Sequence, residues 1–557
     1  MAREIERLTT LNGKLHTPAC PNDQCENHSR PVNRFRDQYQ AYGKTPQGRS
    51  RYRCKSCRRT FAVGRDHRAF AQLEANKTIV RGLVNRLPIR GLCRVLDLNA
   101  DTLYRRIDFL HRQMVAFEAT RLRKLTTLRK YERAFFALGT DAQDQLVNWW
   151  ARDRREPVQI STITTADNLS GFVFRTDCNY DPGTGDAGAH FEWLATQGDF
   201  AVPGALGLSA RYELPSFARA ALWCLEREHK SVDPQADPAR AAFLDQLIAL
   251  AVQMAPANAS ATEPEGSPPT GVVVSREYTA IAHFLLLDRT FSPLARMHVM
   301  TDIDHTLATG AMVAMGDRIR AERVDLTMVG FEKGLKQPTK ERLVAQYQSA
   351  LQAFAQSAGL AGQDAKTIRR AFIDTHAAKE NRGVPGLTAD FWRVPVETIY
   401  EPRKRVGILH QRPQETSGED RAHLVRLLDR SSLHATDTFF NHTRSRVSYL
   451  DRPGASRSTS THYNKFQPYR AEQLQKVIDI ARVFYNWCEV RPFRVSADFA
   501  NIEQALAATA HQRLQASARQ NARGPSREAK STPAMRLGLA TRPVDIRTIL
   551  YGRWLDP

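Results

Sequence analysis

The sequence predicts a multidomain α+β protein in which two small N-terminal modules precede a mixed sheet flanked by helices, with a helical insertion in the sheet domain. Three observations predict this architecture. The chain has 557 residues, too many for one hydrophobic core. Half of its eight cysteines fall in two close pairs before Arg58. Near Ala134 the hydrophobic period changes from helical to strand-like, which marks the start of the sheet.

The first module is defined by Cys20 and Cys25, followed by Cys54 and Cys57. Two thiolates on one tight turn supply half of a tetrahedral zinc site, and two such turns complete it. The spacing therefore predicts a zinc ribbon with these four cysteines as ligands. Four unrelated buried thiols and two disulfides are the alternatives, and His28 is an alternative ligand.

The charge of the chain favours a polyanionic partner. Lysine and arginine number 80 against 59 acidic residues, a net charge of +21, so we expect salt-dependent binding of double-stranded DNA. No apolar run is long enough to span a membrane, the nearest being Ala280–Leu287. The first residues lack an apolar export segment, so a cytoplasmic protein is expected.

A helix-turn-helix pattern follows over Pro88–Leu110. Pro88 suits the start of the first helix and Asn99 the N-cap of the second. Helical spacing predicts an inward face of Leu103, Ile107 and Leu110. The outward face, which on a recognition helix would contact DNA, is predicted to carry Thr102, Arg105 and Arg106. The alternative is the solvated face of an ordinary helical hairpin.

Strand-like runs define the third module. Three of them, separated by polar turns, predict an antiparallel meander: Ala134–Asp141, Val158–Thr164 and Gly171–Thr176. The stretch 188–271 is instead helical and ends in a linker rich in Pro, Ala, Ser, Glu and Gly over Pro256–Gly271, so it is interpreted as an insertion. The sheet is predicted to resume at Met297–Thr301 and Val324–Val329.

Asp141 and Asp302 are the candidate catalytic residues of this sheet, because each ends a predicted strand. If those strands are neighbours, the two carboxylates could hold Mg²⁺ or Mn²⁺ between them. Asp144 and Asp304 are close competitors for these roles. Taken singly, each acid could equally be a turn cap or a surface charge.

Asp437 is the third candidate because it lies on an apolar helical stripe with Leu433, Phe440, Arg444 and Val447. A carboxylate on such a face must meet a cation, either a metal ion or Arg444. Three carboxylates around two metal ions would support in-line phosphoryl transfer.

The order of these features resembles that of bacterial insertion-sequence transposases with a ribonuclease-H-like DDE catalytic core. The motifs that carry the resemblance are Gly48–Phe61 in the ribbon, Arg444–Arg452 on the last catalytic helix and Thr532–Ala540 near the C-terminus. It implies metal-dependent DNA cleavage and strand transfer, a homo-oligomer on DNA, and a nucleoid-associated protein. Asp437 stands where this family usually has Glu, and 161 residues separate Asp141 from Asp302, more than a compact core needs.

The predicted division of the chain combines these readings. Its parts are a zinc ribbon (15–66), a helix-turn-helix domain (67–130), a ribonuclease-H-like core (131–187 and 272–490), the inserted segment (188–271) and a basic C-terminal tail (491–557). Arg444, Arg446 and Arg452, crowded beside the third acid, are expected to contact phosphate. Two other functions remain open: a non-catalytic DNA-binding regulator derived from a transposase, and a metal-dependent nuclease that cuts without joining.

Overall fold

The computed structural model describes most of the chain. The described residues are Glu4, Ile5, Leu8, 19–63 apart from 23, 29, 31, 33–34, 45 and 47–49, then 73–127, 135–148, 157–197, 214–254, 270–292, 296–380, 389–409, 418–451, 471–494 and 528–551. Within these ranges, no helix combines the length and the apolar character that crossing a membrane requires.

Runs of strands and runs of helices follow one another along the described part of the chain, and they alternate singly only from β8 to β10. The strands are β1 Tyr39–Lys44, β2 Ser50–Cys54, β3 Thr60–Val63, β4 Phe135–Asn148, β5 Pro157–Asp167, β6 Val173–Cys178, β7 Tyr180–Asp186, β8 Thr270–Val273, β9 Arg296–Asp302, β10 Val324–Gly330, β11 Ala378–Glu380, β12 Asp390–Arg393, β13 Arg405–Ile408, β14 Arg491–Arg494 and β15 Glu528–Ser531. The helices are α1 Leu73–Leu83, α2 Ile89–Leu96, α3 Ala100–Thr127, α4 Ala187–Gln197, α5 Leu214–His229, α6 Pro238–Met254, α7 Arg276–Phe291, α8 His305–Arg320, α9 Gln337–Ser357, α10 Ala365–His376, α11 Gly418–Arg430, α12 His434–Arg446, α13 Ala471–Trp487, α14 Pro533–Arg536 and α15 Ile546–Tyr551.

The structure is mixed α/β, and its main feature is a sheet of eight strands in the order β11-β12-β13-β10-β9-β4-β5-β6. Strands β4, β5 and β6 pair antiparallel as the predicted meander. Strands β9 and β10 run parallel to β4, and β13 closes antiparallel on β10. All five strands predicted from the sequence are present. Four lie within three residues of their expected bounds, whereas β4 continues seven residues past Asp141, to Asn148.

Helices α2 and α3 form the predicted pair with a short turn between them. Helix α2 ends at Asp97, which has the left-handed conformation, and the side chain of Asn99 accepts a hydrogen bond of 2.8 Å from the amide of Thr102. The predicted inward face is confirmed, because all three of its residues are fully buried: Leu103, Ile107 and Leu110. Helix α3 continues to Thr127, and its apolar side chains belong to the same hydrophobic cluster as the sheet.

A buried polar network joins α3 to α13. The guanidinium of Arg482 contacts the carboxylates of both Glu118 and Asp479, and Asp479 also meets His111 Nε2 at 2.9 Å. All four side chains are buried. Buried charges are tolerated only when paired, so this network fixes α3 against α13 in one arrangement.

The inserted segment has a hydrophobic cluster of its own. Helices α4, α5 and α6 bury Phe191, Phe217 and Leu244 against one another, in agreement with the helical pattern predicted for it. Strands β7 and β8 pair antiparallel at its two ends. Most of the predicted linker Pro256–Gly271 lies outside the described residues.

A second additional segment, between β10 and α12, was not predicted as an insertion from the sequence. It contains α9, α10, α11 and the three strands β11 to β13, which extend the sheet beyond β10. Its short strands and its helices pack around Ile373, Trp392 and Leu428 as a further cluster. The three strands have only three or four residues each, too few to give a periodic signal.

The prediction of a basic C-terminal tail is wrong for residues 528–551. Strand β15 pairs with β14, and Ile549 and Leu550 are fully buried in the main hydrophobic cluster. The guanidinium of Arg536 is buried and donates a hydrogen bond of 2.9 Å to the carbonyl of Ser170. Residues 528–551 thus pack with the core, whereas 495–527 and 552–557 lie outside the described residues.

Candidate functional site

The four predicted cysteines converge at the base of the β1–β3 sheet. Their sulfur atoms all lie within 4.8 Å of one another. Cys20 and Cys57 are 3.3 Å apart at Sγ, and Cys25 and Cys54 are 3.8 Å apart. Around zinc, with Zn–S bonds of about 2.3 Å, tetrahedral thiolates are separated by about 3.8 Å. The cluster could therefore hold a metal ion such as zinc.

The surroundings of the cluster favour the thiolate form at Cys54. Burial raises the pKa of this thiol, but a hydrogen bond from the side chain of Asn27 and the backbone amides of Cys57 and Ser56 outweigh it and lower the pKa to about 6. Asn27 Nδ2 lies 3.3 Å from Cys54 Sγ. His28 is not a member of the cluster, because its Nδ1 lies 2.9 Å from the carbonyl oxygen of Cys20.

The second site begins with the parallel pairing of β4 and β9. Thr140 is directly opposite Thr301 in this register, so Asp141 and Asp302 follow side by side. Asp302 ends β9 as predicted, but Asp141 lies in the middle of β4, which continues to Asn148, so the prediction that Asp141 ends its strand is wrong. Each carboxylate accepts a hydrogen bond from the next backbone amide, at 2.7 Å for Asp141 and 2.9 Å for Asp302. The sheet thus brings together two acids that are far apart in sequence.

Helix α12 adds Asp437 through a close approach to β4. The hydroxyl of Thr436 donates a hydrogen bond of 2.8 Å to the carbonyl of Gly139, two residues before Asp141. A Cβ atom at Gly139 would lie 3.3 Å from the carbonyl oxygen of Ser432 and 3.4 Å from Thr436 Oγ1. Glycine therefore permits the contact that sets Asp437 beside the acids of the sheet.

Asn168, in the turn after β5, holds the same end of α12. Its Nδ2 donates a hydrogen bond of 2.6 Å to the carbonyl of Ser432, and its Oδ1 accepts one of 3.2 Å from the amide of Ala435. The predicted stripe of α12 does face the protein, since Leu433, Phe440 and Val447 are buried while Asp437 and Arg444 are half-buried.

Charge repulsion links the three acids. Burial first, then the negative charges of Asp302 and Asp437, raise the pKa of Asp141 to about 7, although the amide of Ala142 and the ammonium of Lys333 lower it. A carboxylate is harder to ionise when it is desolvated near like charges. Asp141 therefore lies in a negative potential that a cation would relieve.

The pKa of Asp437 is raised by similar causes. Burial first, then the charge of Glu401 and that of Asp302, raise its pKa to about 6, against the opposing effects of Lys333 and Arg444. In the part of the chain that the structure describes, the cysteines are the one group of three or more candidate ligands within 4.8 Å of one another. The aspartates are thus neighbours that share a field, without touching.

Lys333 and Glu401 are site residues that the sequence analysis missed. Lys333 Nζ lies 3.3 Å from Asp302 Oδ2. The buried carboxylate of Glu401 accepts hydrogen bonds from Ser432 Oγ at 2.6 Å and from the amide of Leu433 at 2.9 Å, so it holds the start of α12. The position of Lys333 just after β10 was a usable signal, whereas Glu401 lies in an irregular segment that gave none.

The competing acids have other surroundings. Asp144 is exposed, further along β4. Asp304 caps α8 by accepting a hydrogen bond of 2.8 Å from the amide of Thr306, and it pairs with Arg276 at 2.7 Å. The structure therefore favours Asp141 and Asp302 as the sheet members of the cluster.

Of the side chains predicted to contact DNA, one is turned inward. Arg106 is half-buried, its Nη1 donates a hydrogen bond of 3.0 Å to Asn76 Oδ1, and burial lowers its pKa, so the outward orientation expected for it is wrong. Arg105 is exposed and Thr102 is half-buried. Tight packing of α3 against α1 explains the difference, since Asn76 lies on α1.

The arginines that follow the third acid differ among themselves. Arg444 is half-buried, with its guanidinium 5.6 Å from the ring centre of Phe440. Arg446 is exposed and donates a hydrogen bond of 3.3 Å to Asn85 Oδ1. Arg452 lies outside the described residues.

Comparisons with protein-family models, with curated proteins and with solved structures found no match to this chain.

Replacing a cluster cysteine is expected to remove bound metal. In Cys54→Ser the hydroxyl is a far weaker zinc ligand than a thiolate, so zinc content should fall from about one ion per chain to near zero. Cys93→Ser, a half-buried cysteine of α2, is the matched control and should retain zinc. Metal analysis of the purified proteins decides it, and an equal zinc content in Cys54→Ser would contradict the assignment.

Removing the charge of Asp141 is expected to stabilise the metal-free protein at high pH. Its folded pKa of about 7 exceeds the unfolded value of 3.8, so ionisation destabilises the fold increasingly from about pH 4 to pH 7. At pH 8, Asp141→Asn should therefore unfold at a higher temperature than the native chain, because its free energy of unfolding is larger by at most on the order of 4 kcal/mol. Near pH 4 the two proteins should unfold at the same temperature. Thermal melts in a chelator give the measurement.

The exposed Asp144 supplies the control for those melts. Asp144→Asn on the same strand should melt with the native chain at both pH values. A lower melting temperature for Asp141→Asn at pH 8 would show that the carboxylate is stabilising rather than strained.

Proposed function

We propose that this protein is a DNA transposase with a ribonuclease-H-like DDE core, and that Asp141, Asp302 and Asp437 are its catalytic carboxylates. The observation that carries the proposal is the convergence of these acids, from two parallel strands and one late helix, into one electrostatic field. Structural ion pairs normally bring opposite charges together, so three gathered carboxylates indicate a site for cations.

The arrangement of the sheet supports this core. An antiparallel meander of β4, β5 and β6 is followed by β9 and β10, which add parallel to β4 on its other edge. This is the order expected for a ribonuclease-H-like fold. The inserted segment lies between β7 and β8 in the chain, and a second additional segment follows β10. The five strands β6, β5, β4, β9 and β10 are nevertheless neighbours in the sheet.

The acidic cluster fits Mg²⁺ or Mn²⁺ as its occupant. These hard cations prefer carboxylate oxygens, and the raised pKa values of Asp141 and Asp437 reflect a negative potential that they would relieve. When bound, such ions supply Lewis acidity to the phosphate and lower the pKa of the attacking hydroxyl or water. The chain's own part is to hold three carboxylates beside the carboxyl end of β9, with the Lys333 ammonium next to Asp302.

The N-terminal modules fit DNA binding close to that site. In the proposed zinc ribbon, the ring of Tyr42 on β1 is exposed. The guanidinium carbons of Arg51 and Arg53 on β2 lie 5.4 and 5.8 Å from the centre of this ring. Such a basic and aromatic surface suits phosphates and bases.

The helix-turn-helix is anchored to the helix of the third acid. The amide of Arg86 donates a hydrogen bond of 2.6 Å to the carbonyl of Arg446, and the hydroxyls of Tyr104 and Tyr449 lie 3.4 Å apart. DNA bound by α3 would therefore be held at a fixed position relative to Asp437. Two element ends must meet in transposition, so a homo-oligomer on DNA belongs to the proposal.

Substitution of Asp141 is expected to separate cleavage from binding. With duplexes from the DNA that flanks the encoding gene, Asp141→Asn should lose Mg²⁺-dependent cleavage by about 100-fold or more, since several kcal/mol of charge stabilisation would be lost. Gel-shift affinity should remain within about twofold, because the helix-turn-helix is untouched. Asp144→Asn is the control and should cleave like the native chain.

The rival functions give other outcomes in the same assay. A non-catalytic regulator would bind the duplexes and leave them uncut whether Asp141 is present or not. A plain nuclease would cut, but would give no joined products when supplied with pre-cut ends and a target plasmid. Either pattern contradicts the proposal.

A further inference from the structure

A cavity of about 320 Å³ lies beside the start of α12, on the side of β4 that carries Asp141. Ala137 and Leu169 form an apolar part of its wall, and Asn168, Ser432 and His434 contribute polar atoms. Its volume is in the range of pockets that bind small ligands. None of the residues that line this cavity is Asp141, Asp302 or Asp437.

The remaining wall is strongly basic. Four cationic side chains line the cavity, and a single carboxylate, Asp429, opposes them; the cations are Lys366, Arg369, Arg370 and Arg430. Like charges crowded around a space repel one another unless an anion enters. The excess of positive charge on the wall therefore favours an anionic ligand.

Asp429 holds two of these cations in position. Its carboxylate, only 3% exposed, accepts from Arg369 Nε at 2.6 Å and from Arg370 Nε at 3.0 Å. Burial raises its pKa, but the two guanidinium groups outweigh burial, and the pKa is lowered, so Asp429 is ionised. Both arginines are held through Nε, so their positions at the wall of the cavity are fixed.

Arg370 has a donor that is not used. Its Nη2 is buried and makes no hydrogen bond to any residue in the described part of the chain. A buried guanidinium nitrogen without an acceptor is costly, and a turn of the Arg370 side chain toward the cavity, where an anion could accept from it, would remove that cost. A phosphate oxygen is an acceptor that matches the planar fork of arginine.

The cavity and the acidic cluster share two elements. Ser432 and His434 line the cavity, and Asp437 follows on the same helix, about 4.5 Å further along its axis than His434. Ala137 and Asp141 point to the same face of β4, about 13 Å apart along the strand.

We propose that this cavity binds a phosphate group of the DNA strand whose scissile phosphate lies at the acidic cluster. The inference rests on the function proposed above and adds a second anchor to it. Arg369 and Arg370, oriented by Asp429, contact the phosphate oxygens, and Lys366 and Arg430 add charge. The apolar wall at Ala137 and Leu169 accommodates part of the adjoining nucleotide.

The test removes the anchor without leaving a buried charge unpaired. The triple variant Arg369→Gln, Arg370→Gln and Asp429→Asn neutralises the cluster together. Binding of the gene-flanking duplex is measured without Mg²⁺ as a function of salt. The slope of log K against log salt should become shallower by about 0.9, the change for one lost phosphate contact.

A second triple variant is the matched control. Lys379→Gln, Arg393→Gln and Asp390→Asn removes the same charges from β11 and β12, where Lys379 pairs with Asp390 at 2.8 Å. Its salt slope should equal that of the native chain. Should the cavity variant fail to fold, Lys366→Gln alone, which disturbs no buried pair with Asp429, should still reduce the slope by about 1.

A free nucleotide distinguishes the source of the phosphate. If deoxyadenosine monophosphate raises the melting temperature of the native chain but not of the cavity variant, while the DNA salt slope is unchanged, the site binds phosphate from a free nucleotide and the DNA part of the proposal is overturned. An unchanged slope without nucleotide stabilisation overturns the phosphate site itself. None of these measurements depends on DNA cleavage. A native protein that binds DNA without cleaving it would therefore contradict the proposed function, but not the proposal of a phosphate site.

Discussion

The contact between α12 and β4 at Gly139 is the constraint on which the site depends. The sheet alone supplies only Asp141 and Asp302, which are adjacent because β4 and β9 pair in parallel. Thr436 bonds to the backbone of β4 where glycine leaves room for it, and this contact brings Asp437 close to the two acids of the sheet. Asn168 and Glu401 then fix the start of the helix from two sides. The third acid is thus set by packing and hydrogen bonds to the backbone, and not by any attraction among the acids.

The acids themselves oppose this arrangement. Their mutual repulsion and burial raise the pKa of both Asp141 and Asp437, so the fold holds charge where it is electrostatically unfavourable. The surrounding structure must supply the stability, and the buried network around Arg482 is one source, because it joins α3 and α13 beneath β6. Strain at one site that is supported elsewhere is typical of sites that bind a ligand or catalyse a reaction.

Much of this could be predicted from the sequence because the signals were local. Cysteine spacing identified the four members of the sulfur cluster, and strand periodicity located five strands. The expected strand ends led to Asp141 and Asp302, although β4 in the structure continues past Asp141. Features that depend on distant contacts were missed. The inward turn of Arg106 depends on Asn76, and the packing of the C-terminus depends on Arg536 reaching Ser170, 366 residues away. Short strands and irregular segments, such as the one that carries Glu401, have no period to recognise.

The central claim, that three acids from distant parts of the chain form one cation site, is tested most directly by a crystal structure of the full chain with Mn²⁺, using the anomalous signal of the metal. The account predicts anomalous density within coordination distance of Asp141, Asp302 and Asp437, with the ammonium of Lys333 displaced from Asp302. Manganese bound elsewhere, with those three carboxylates free of metal at saturating concentration, would contradict it.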